Sequence, residues 1–293
     1  MCSATPTART LYFSRLSDLD SDLAEEAFFS SIRLWNGTYK YTYARRLDDL
    51  NDLVISLLPA AGHRLRICDV AVSSGVSTLE WTINLEQHGI IHEMIAGDLT
   101  AHAYLLSMPN DLHVLVDRAG NSLQFDVRGE AIQSTPGRKA WAFNFYSLLL
   151  LQRTLRRHCR SLLMKCDAAG GVYSDQKGLT CRRIALVSPR LLKLPRIRVI
   201  EDDIFEAPRD KALYHVVRAA NILNRSYFDN ATLIRGVSNL RRRLLPGGLL
   251  ITCRTNKEGQ NNGTVFQLTE SETFSSIARL NQGSEIEDLV LSL

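Results

Sequence analysis

The sequence predicts a doubly wound α/β fold built around a mostly parallel sheet. An apolar strand over residues 64–72 runs directly into a turn of small residues that opens a helix. A second apolar strand, residues 91–97, ends in an acidic residue. A third, residues 249–253, follows the turn Pro246-Gly247-Gly248. Strands that alternate with helices at this spacing form βαβ units, in which the strands are parallel.

The turn after the first strand is the most informative segment. Ile67, Val70 and Val72 give the strand the β-branched side chains that a buried strand favours. The turn that follows has little side-chain bulk, so a ligand can approach its backbone closely. Its small residues are Ser73, Ser74, Gly75 and Ser77. In a parallel sheet, a turn at the carboxyl end of the first strand is where an adenosine-containing cofactor lies.

Asp98 ends the second strand and follows the turn by about 20 residues, the spacing expected of an acid that hydrogen-bonds a ribose. Other nucleotide motifs fit less well. A dinucleotide fingerprint needs three glycines as G-x-G-x-x-G, whereas this turn has only Gly75. The phosphate-binding P-loop motif, G-x-x-x-x-G-K-[ST], does not occur in the sequence. A ribose-bearing cofactor without phosphate is therefore favoured. An ordinary βαβ turn that binds nothing is the alternative.

Helical patterns precede the core, and an insertion interrupts it. Residues 18–35 and 47–58 read as helices that form an N-terminal cap. More than a hundred residues separate Asp98 from Asp203, far more than a minimal doubly wound domain needs. The excess contains a predicted hairpin and a helical block, residues 113–127 and 141–165. We therefore expect a cap of residues 1–62 and a domain of residues 63–293 with an insertion at about 101–182.

The remaining patterns complete the predicted sheet. Strands are expected at 197–200, 213–220 and 249–253, a helix at 230–245, and a hairpin-like pair that starts at 263–268. A helix near residues 271–280 and a last strand near residues 285–293 are expected to close the sheet.

Composition is that of a soluble globular protein: of 293 residues, 45% are hydrophobic and 23% charged. The net charge of +4 is too small to predict a nucleic-acid partner. Six scattered cysteines form no C-x-x-C pair, so neither a metal site nor a disulfide framework is expected. We expect a cytoplasmic protein, because no signal-peptide core is visible. The oligomeric state stays open.

Two segments resemble the class I S-adenosylmethionine-dependent methyltransferases. Asp69-Val-Ala-Val-Ser-Ser-Gly75 is similar to their first motif, with serines where many members have glycines. Leu244-Leu-Pro-Gly-Gly-Leu-Leu-Ile251 is similar to the approach to their fifth strand. The resemblance covers roughly residues 64–100 and 197–293. Within it, Asn221–Phe228 is similar to a run in chemotaxis-receptor-type methyltransferases.

The resemblance implies a seven-stranded Rossmann-like sheet, an N-terminal helical lid and S-adenosyl-L-methionine as cofactor. Asp98 would bind the ribose, and Asn221 would line the wall beside the methyl group. The remaining implied contacts fall into two groups. At the methionine end they are Asp69, Ser73, Ser74 and Gly75, and around the adenine they are Leu99, Asp203 and Ile204.

Methyl transfer from a sulfonium depends mostly on positioning, so no obligatory catalytic signature is expected. Tyr104 and Tyr227 are candidates on the acceptor side, with ordinary packing as the alternative. A small-molecule or lipid-like acceptor is the first hypothesis. The others are a protein carboxyl methyltransferase and a non-catalytic binding module. Residues 141–165 join an aromatic, apolar run to a basic run, which predicts either a buried helix or peripheral contact with a membrane.

Overall fold

The structure is a computed structural model of the chain. It describes residues 5–14, 18–35, 37–40, 42–59, 64–133, 153, 157, 159–208 and 211–293. The chain divides into two compact units. The antiparallel-sheet unit comprises Met1–Thr42 and His102–Pro189, and the parallel-sheet unit comprises Tyr43–Ala101 and Arg190–Leu293. This grouping differs from the predicted cap of residues 1–62, because the second N-terminal helix belongs to the parallel-sheet unit.

The described secondary structure is as follows. The helices are α1 (Ala8–Phe13), α2 (Asp18–Ser31), α3 (Asp48–Leu57), α4 (Val76–Gln87), α5 (residues 159–168), α6 (Asn230–Arg243) and α7 (Glu287–Leu291). The strands are β1 (Leu65–Val70), β2 (His92–Asp98), β3 (His102–Met108), β4 (Leu112–Val116), β5 (Ser122–Val127), β6 (Glu130–Gln133), β7 (Val172–Ser174), β8 (Thr180–Ala185), β9 (Ile197–Glu201), β10 (Tyr214–Ala220), β11 (Leu244–Thr255), β12 (Asn261–Leu268) and β13 (Phe274–Leu280).

The parallel-sheet unit contains the predicted doubly wound sheet. Its strand order is β9-β2-β1-β10-β11-β12-β13. The five strands from β9 to β11 are parallel, and β12 and β13 add an antiparallel pair. The chain moves outward from β1 to β2 and β9, then returns to the other side of β1 at β10. The strand order therefore reverses between β1 and β10. The prediction of a mostly parallel seven-stranded sheet is confirmed.

The order of helix and strand predicted for residues 271–293 is wrong. Residues 274–280 form strand β13 rather than a helix, and residues 287–291 form helix α7 rather than a strand. Pairing with β12 satisfies the backbone of β13, and the Thr269 backbone amide donates to the Thr273 carbonyl to close the turn between them (2.8 Å). Helix α7 buries Val290 in the main core. Tertiary pairing thus overrides the local pattern in so short a segment.

The antiparallel-sheet unit is larger than the predicted hairpin plus helix. Its strand order is β6-β5-β4-β3-β8-β7, with antiparallel pairing throughout. Strand β3 alternates its side chains between two clusters. Ala103 and Leu105 pack with α1 and α2, whereas Tyr104 and Leu106 pack with α5. The predicted hairpin is the β4–β5 pair, two of six strands. Single-strand patterns did not indicate this second sheet.

The helical block predicted over residues 141–165 lies mostly outside the described residues. Its described end belongs to α5, where Cys159 and Leu163 are each 3% exposed and pack on the sheet. Met164, on the other side of this helix, is 68% exposed. No helix in the described part of the chain has the length and apolar character needed to cross a membrane.

A buried ion pair joins the two central strands of the parallel-sheet unit. Asp69 of β1 and Arg218 of β10 are neighbours in the sheet register. The arginine Nε and Nη2 donate to the two carboxylate oxygens at 2.9 and 2.6 Å. Thr78 of α4 adds a third donor to the same carboxylate at 2.7 Å. Both charged side chains are less than 5% exposed, so each charge depends on the other for compensation.

Arg218 also holds two helices against the sheet. Its Nη1 donates to Asn51 of α3 at 2.9 Å, and its Nη2 donates to the Ser77 carbonyl in α4 at 3.2 Å. The guanidinium carbon lies 4.1 Å from the ring centroid of Trp81, a buried cation–π contact. One side chain therefore fixes β1, α3 and α4, and through α4 it fixes the turn that precedes that helix.

Replacing Arg218 with methionine should lower the free energy of unfolding by about 3–5 kcal/mol, because Asp69 would remain buried and unpaired. Urea denaturation measures the change. The matched control is Arg225→Met, which removes an exposed pair with Asp288 and should cost less than about 1 kcal/mol. Equal effects of the two substitutions would contradict the role assigned to the buried pair.

Candidate ligand-binding site

The reversal of strand order places a candidate crevice at the carboxyl ends of β1 and β10. In open α/β sheets, the loops that leave two such strands diverge in opposite directions and open a crevice between them. The turn after β1 and Asn221 after β10 line this edge of the sheet. Asp98 ends the adjacent strand β2 at the same edge. The sequence predicted all three positions.

The turn after β1 adopts a backbone that is unusual for side-chain-bearing residues. Ala71 and Ser73 both have φ of 55°, and Gly75 has φ of 76°. The left-handed region costs an ordinary L-residue about 1–2 kcal/mol. Two residues thus take a conformation that glycine adopts without that cost.

Asp98 holds this turn in place. Its Oδ2 accepts from the Ser73 backbone amide at 2.8 Å, and its Oδ1 accepts from the Thr100 amide at 2.9 Å. The side chain is largely buried at the edge of the sheet. Charge-assisted bonds of this kind are roughly twice as strong as neutral ones. The acid and the turn, which the sequence linked only by their spacing, therefore form one rigid structure.

Helix α4 begins at this turn with donors that the described chain does not satisfy. Gly75 is its N-cap and offers no side-chain acceptor. The first amides of a helix lack partners within the helix, and they carry the positive end of its dipole. The hydroxyls of Ser74 and Ser77 are buried and have no hydrogen-bond partner among the described residues. The start of α4 thus holds polar groups that lack a partner among the described residues.

Like Asp98, three other expected cofactor contacts have partners within the chain. Asp69 is bound by Arg218 and Thr78. Ile204 is 5% exposed and packs in the core under α6. Asp203 lies beside it, and its Oδ1 accepts from the Phe205 amide at 2.9 Å, which closes a local turn. Strand-end position alone did not distinguish an acid that faces a crevice from one that faces an arginine.

The neighbouring acid, Asp202, was not singled out by the sequence. It forms a bidentate ion pair with Arg243 at the end of α6, with N–O distances of 2.5 and 2.9 Å. Its backbone amide donates to the Asp98 carbonyl at 3.1 Å. A Cβ atom at Gly97 would lie 3.0 Å from the Asp202 side chain, so a larger residue there would force that side chain to shift. This pair fixes β9 beside the predicted ribose acid.

Leu99 and the two tyrosine candidates lie in different surroundings. Leu99 is 56% exposed just after β2, which leaves an apolar side chain open to a flat ring. Tyr227 is 70% exposed in the loop after β10. Tyr104 is buried within the antiparallel-sheet unit, and its hydroxyl donates to Asp167 at 2.8 Å. Packing therefore accounts for Tyr104, the alternative that the sequence left open.

Asn221 is tied to the next strand. Its φ is 60°, and its backbone amide donates to the Cys253 carbonyl at 2.7 Å. Its side-chain oxygen accepts from the Thr255 amide at 2.7 Å, and its Nδ2 lies 3.2 Å from Thr255 Oγ1. The loop after β10 is thereby anchored to the end of β11.

Arg46, which the sequence gave no reason to select, joins this group. Its Nε donates to Thr255 Oγ1 at 3.1 Å, and its guanidinium carbon lies 5.4 Å from the Tyr43 ring centroid. The Thr255 hydroxyl donates in turn to Asn261 Oδ1 at 2.7 Å. Arg46 is separated from these polar partners by more than two hundred residues. No local sequence signal could have linked them.

The cysteines have the character of core residues. All five in the described part of the chain are buried and unpaired. Burial raises the pKa of the Cys68 and Cys253 thiols to about 12, which keeps both protonated at neutral pH. Within the described residues, no three His, Cys, Asp or Glu side chains are grouped so as to hold a metal ion.

A separate polar cluster lies in the antiparallel-sheet unit. The Nδ1 of His113 lies 2.8 Å from the Ser107 hydroxyl, and its Nε2 lies 3.1 Å from Asp111 Oδ1. The sequence indicated no Ser-His-Asp grouping, because a hairpin is needed to bring the three together. Arg9 of α1 also donates to Asp111 at 2.7 Å. The cluster therefore connects α1 to the β3–β4 hairpin.

No protein-family model matches the chain, and no curated protein matches it. Solved structures with a similar arrangement include the CMeT domain of the citrinin polyketide synthase, at 16% identity over 72% of this chain and 35% of that chain, with a TM-score of 0.36. The N-methyltransferase NodS from Bradyrhizobium japonicum, solved with S-adenosyl-L-homocysteine, is 12% identical over 73% and 65%, with a TM-score of 0.33. The cyclase SpnF is 13% identical over 73% and 47%, with a TM-score of 0.32. The chain thus spans between about a third and two thirds of these solved chains.

Replacing Ala71 with glycine should raise the free energy of unfolding by about 0.5–1 kcal/mol, because the left-handed backbone no longer carries a Cβ. The matched control is Ala231→Gly at an exposed position in α6, where the same substitution should lower it by up to about 1 kcal/mol. Chemical denaturation measures both. A loss of stability at Ala71 equal to that at Ala231 would contradict the described turn.

His113 and Arg9 hold the pKa of Asp111 below its ordinary value, mainly through hydrogen bonds to the ionised carboxylate. A depressed pKa contributes stability that is present above about pH 4, the unfolded value, and is lost as pH falls through the folded value. Asp111→Asn should therefore lower the Tm at pH 7, and the difference from the unmodified protein should shrink at pH 3. Glu130→Gln, an exposed change on β6, serves as the control. A difference independent of pH would count against the ionic origin.

Proposed function

We propose that the chain binds S-adenosyl-L-methionine and transfers its methyl group to a small-molecule or lipid-like acceptor. The observation that carries this proposal is the direct bond between the turn after β1 and Asp98, at the point where the strand order reverses. Such a turn and acid are the features that bind the nucleoside part of a cofactor in open α/β sheets. The family resemblance of the same residues supports the choice of cofactor.

The residues of the crevice fit this cofactor. A carboxylate such as Asp98 accepts from ribose hydroxyls, and the exposed Leu99 offers an apolar surface to the adenine. The first backbone amides of α4 can donate to polar oxygens of the cofactor, because they lack partners within the helix. Asn221 is held beside the same edge by Thr255. Asp69 and Ile204 are assigned to the framework of the site instead, because the ion pair and the core occupy their side chains.

The bound cofactor would supply an activated methyl group with a good leaving group attached. The protein then needs to align donor and acceptor and to exclude water. Rigid attachment of the turn to Asp98 and of Asn221 to Thr255 supports that role. A general base is required only when the acceptor must lose a proton.

Two alternatives are distinguished by specific features. The exposed Tyr227, in the loop that resembles the chemotaxis-receptor enzymes, favours a protein acceptor and carboxyl methylation. The alanine and serine in the turn favour a binding module without catalysis. Transfer of a tritiated methyl group to protein, to an organic extract or to neither separates these possibilities from the first proposal.

Leu99→Ala should weaken binding of S-adenosyl-L-homocysteine about five- to tenfold, because part of the adenine-facing apolar surface is removed. Isothermal titration calorimetry measures the affinity. Ile91→Ala is the matched control, since Ile91 is 47% exposed just before the amino end of β2, away from the crevice. Both variants should retain the stability of the unmodified protein. No heat with S-adenosyl-L-methionine or S-adenosyl-L-homocysteine would overturn the proposed function.

A further inference from the structure

We propose that Arg46 is a carboxylate-binding residue of the crevice and receives the carboxylate of a bound ligand on its two terminal nitrogens. The inference rests on the proposed function and names the group by which the ligand is held. Two sources share this chemistry: the amino-acid end of the cofactor and a carboxylate on the methyl acceptor.

The position of Arg46 follows from its partners. Thr255 is the last residue of β11, and Asn261, the first residue of β12, pairs with it in the sheet register. Asn221 follows β10 directly and is bonded to Thr255. These residues therefore lie at the carboxyl edge, one strand beyond the reversal of strand order. Since Arg46 donates to Thr255, its guanidinium lies at that edge as well.

The hydrogen bonds of Arg46 leave its binding capacity unused. Its Nε donates to Thr255, whereas neither Nη1 nor Nη2 has a hydrogen-bond or ion-pair partner among the described residues. Neighbouring arginines of the same unit differ. Arg45 pairs with Asp48, and Arg254 Nη1 donates to both carboxylate oxygens of Glu285 at 2.8 Å. Arg46 is half-buried yet lacks a carboxylate.

The guanidinium is also held in one geometry before any ligand binds. The Tyr43 ring lies against it, and Asn261 Nδ2 donates to the Arg46 backbone carbonyl at 2.7 Å. A planar guanidinium with two adjacent free N–H groups matches a carboxylate in a bidentate pair. Because the side chain is already ordered, less conformational entropy is lost when the pair forms.

The charges at this edge suit a ligand that carries both hydroxyl groups and a carboxylate. Asp98 and the donors of α4 lie on the β2 and β1 side of the reversal, and Arg46 lies on the β11 side. A ligand with hydroxyl groups at one end and a carboxylate at the other therefore meets an acceptor and a cation in that order.

The test compares Arg46→Met with Arg45→Met, which removes an exposed charge one residue away and leaves the crevice unchanged. Arg46→Lys keeps the charge without the planar fork. Isothermal titration uses S-adenosyl-L-homocysteine and 5′-methylthioadenosine, which lacks the amino-acid carboxylate.

A second experiment measures the Tm of the apoprotein and of the S-adenosyl-L-homocysteine complex. Acetate or benzoate is added in one set of samples, and chloride at equal ionic strength is added in the other.

If the cofactor supplies the carboxylate, Arg46→Met weakens S-adenosyl-L-homocysteine at least tenfold and leaves 5′-methylthioadenosine unchanged, with Arg46→Lys intermediate. If the acceptor supplies it, both affinities stay unchanged, and acetate or benzoate raises the Tm of the complex only when Arg46 is present. The proposal is overturned when neither Arg46-dependent effect is seen in variants that keep their thermal stability. If neither nucleoside binds the unmodified protein, the proposed function fails, and the acetate arm on the apoprotein still decides the role of Arg46.

Discussion

The ion pair between Asp69 and Arg218 is the interaction on which the parallel-sheet unit depends. It joins the two strands between which the strand order reverses, and it connects both to α3 and α4 through Asn51 and Ser77. A charge pair so deeply buried is stabilising only if its hydrogen bonds are complete, and here each partner has several. The geometry of the crevice rests on this pair, because α4 carries the turn on its N-terminal side.

The same pair changes which residues can recognise a ligand. An acid in the first strand of such a sheet is a reasonable ligand-binding candidate, but Asp69 faces α4 and an arginine. Asp202 is likewise held by Arg243. In the proposed site, recognition at this edge therefore falls to Asp98, to the backbone of the turn and to Arg46, which lies outside the strand ends.

The sequence predicted those features that depend on residues close together in the chain. The β-branched strand, the small-residue turn and Asp98 follow one another closely in the sequence, and the parallel sheet follows from their alternation with helices. Long-range partners were not predictable: nothing near Arg46 indicates Thr255, and nothing near Asp69 indicates Arg218. The exchange of helix and strand at the C-terminus has the same origin, since β13 depends on its pairing with β12. The six-stranded sheet of the other unit also depends on pairings between distant segments.

Gly97 of β2 lies beside the salt bridge between Asp202 and Arg243. Because Gly97 has no side chain, Asp202 can pack directly against β2. Asp202 also forms a salt bridge with Arg243 at the end of α6, and its backbone amide donates to the Asp98 carbonyl. The end of α6 and the Asp98 backbone are therefore linked through Asp202, by one salt bridge and one backbone hydrogen bond. A side chain at position 97 would act on this contact first, because the Asp202 side chain would have to shift to make room for the added Cβ atom.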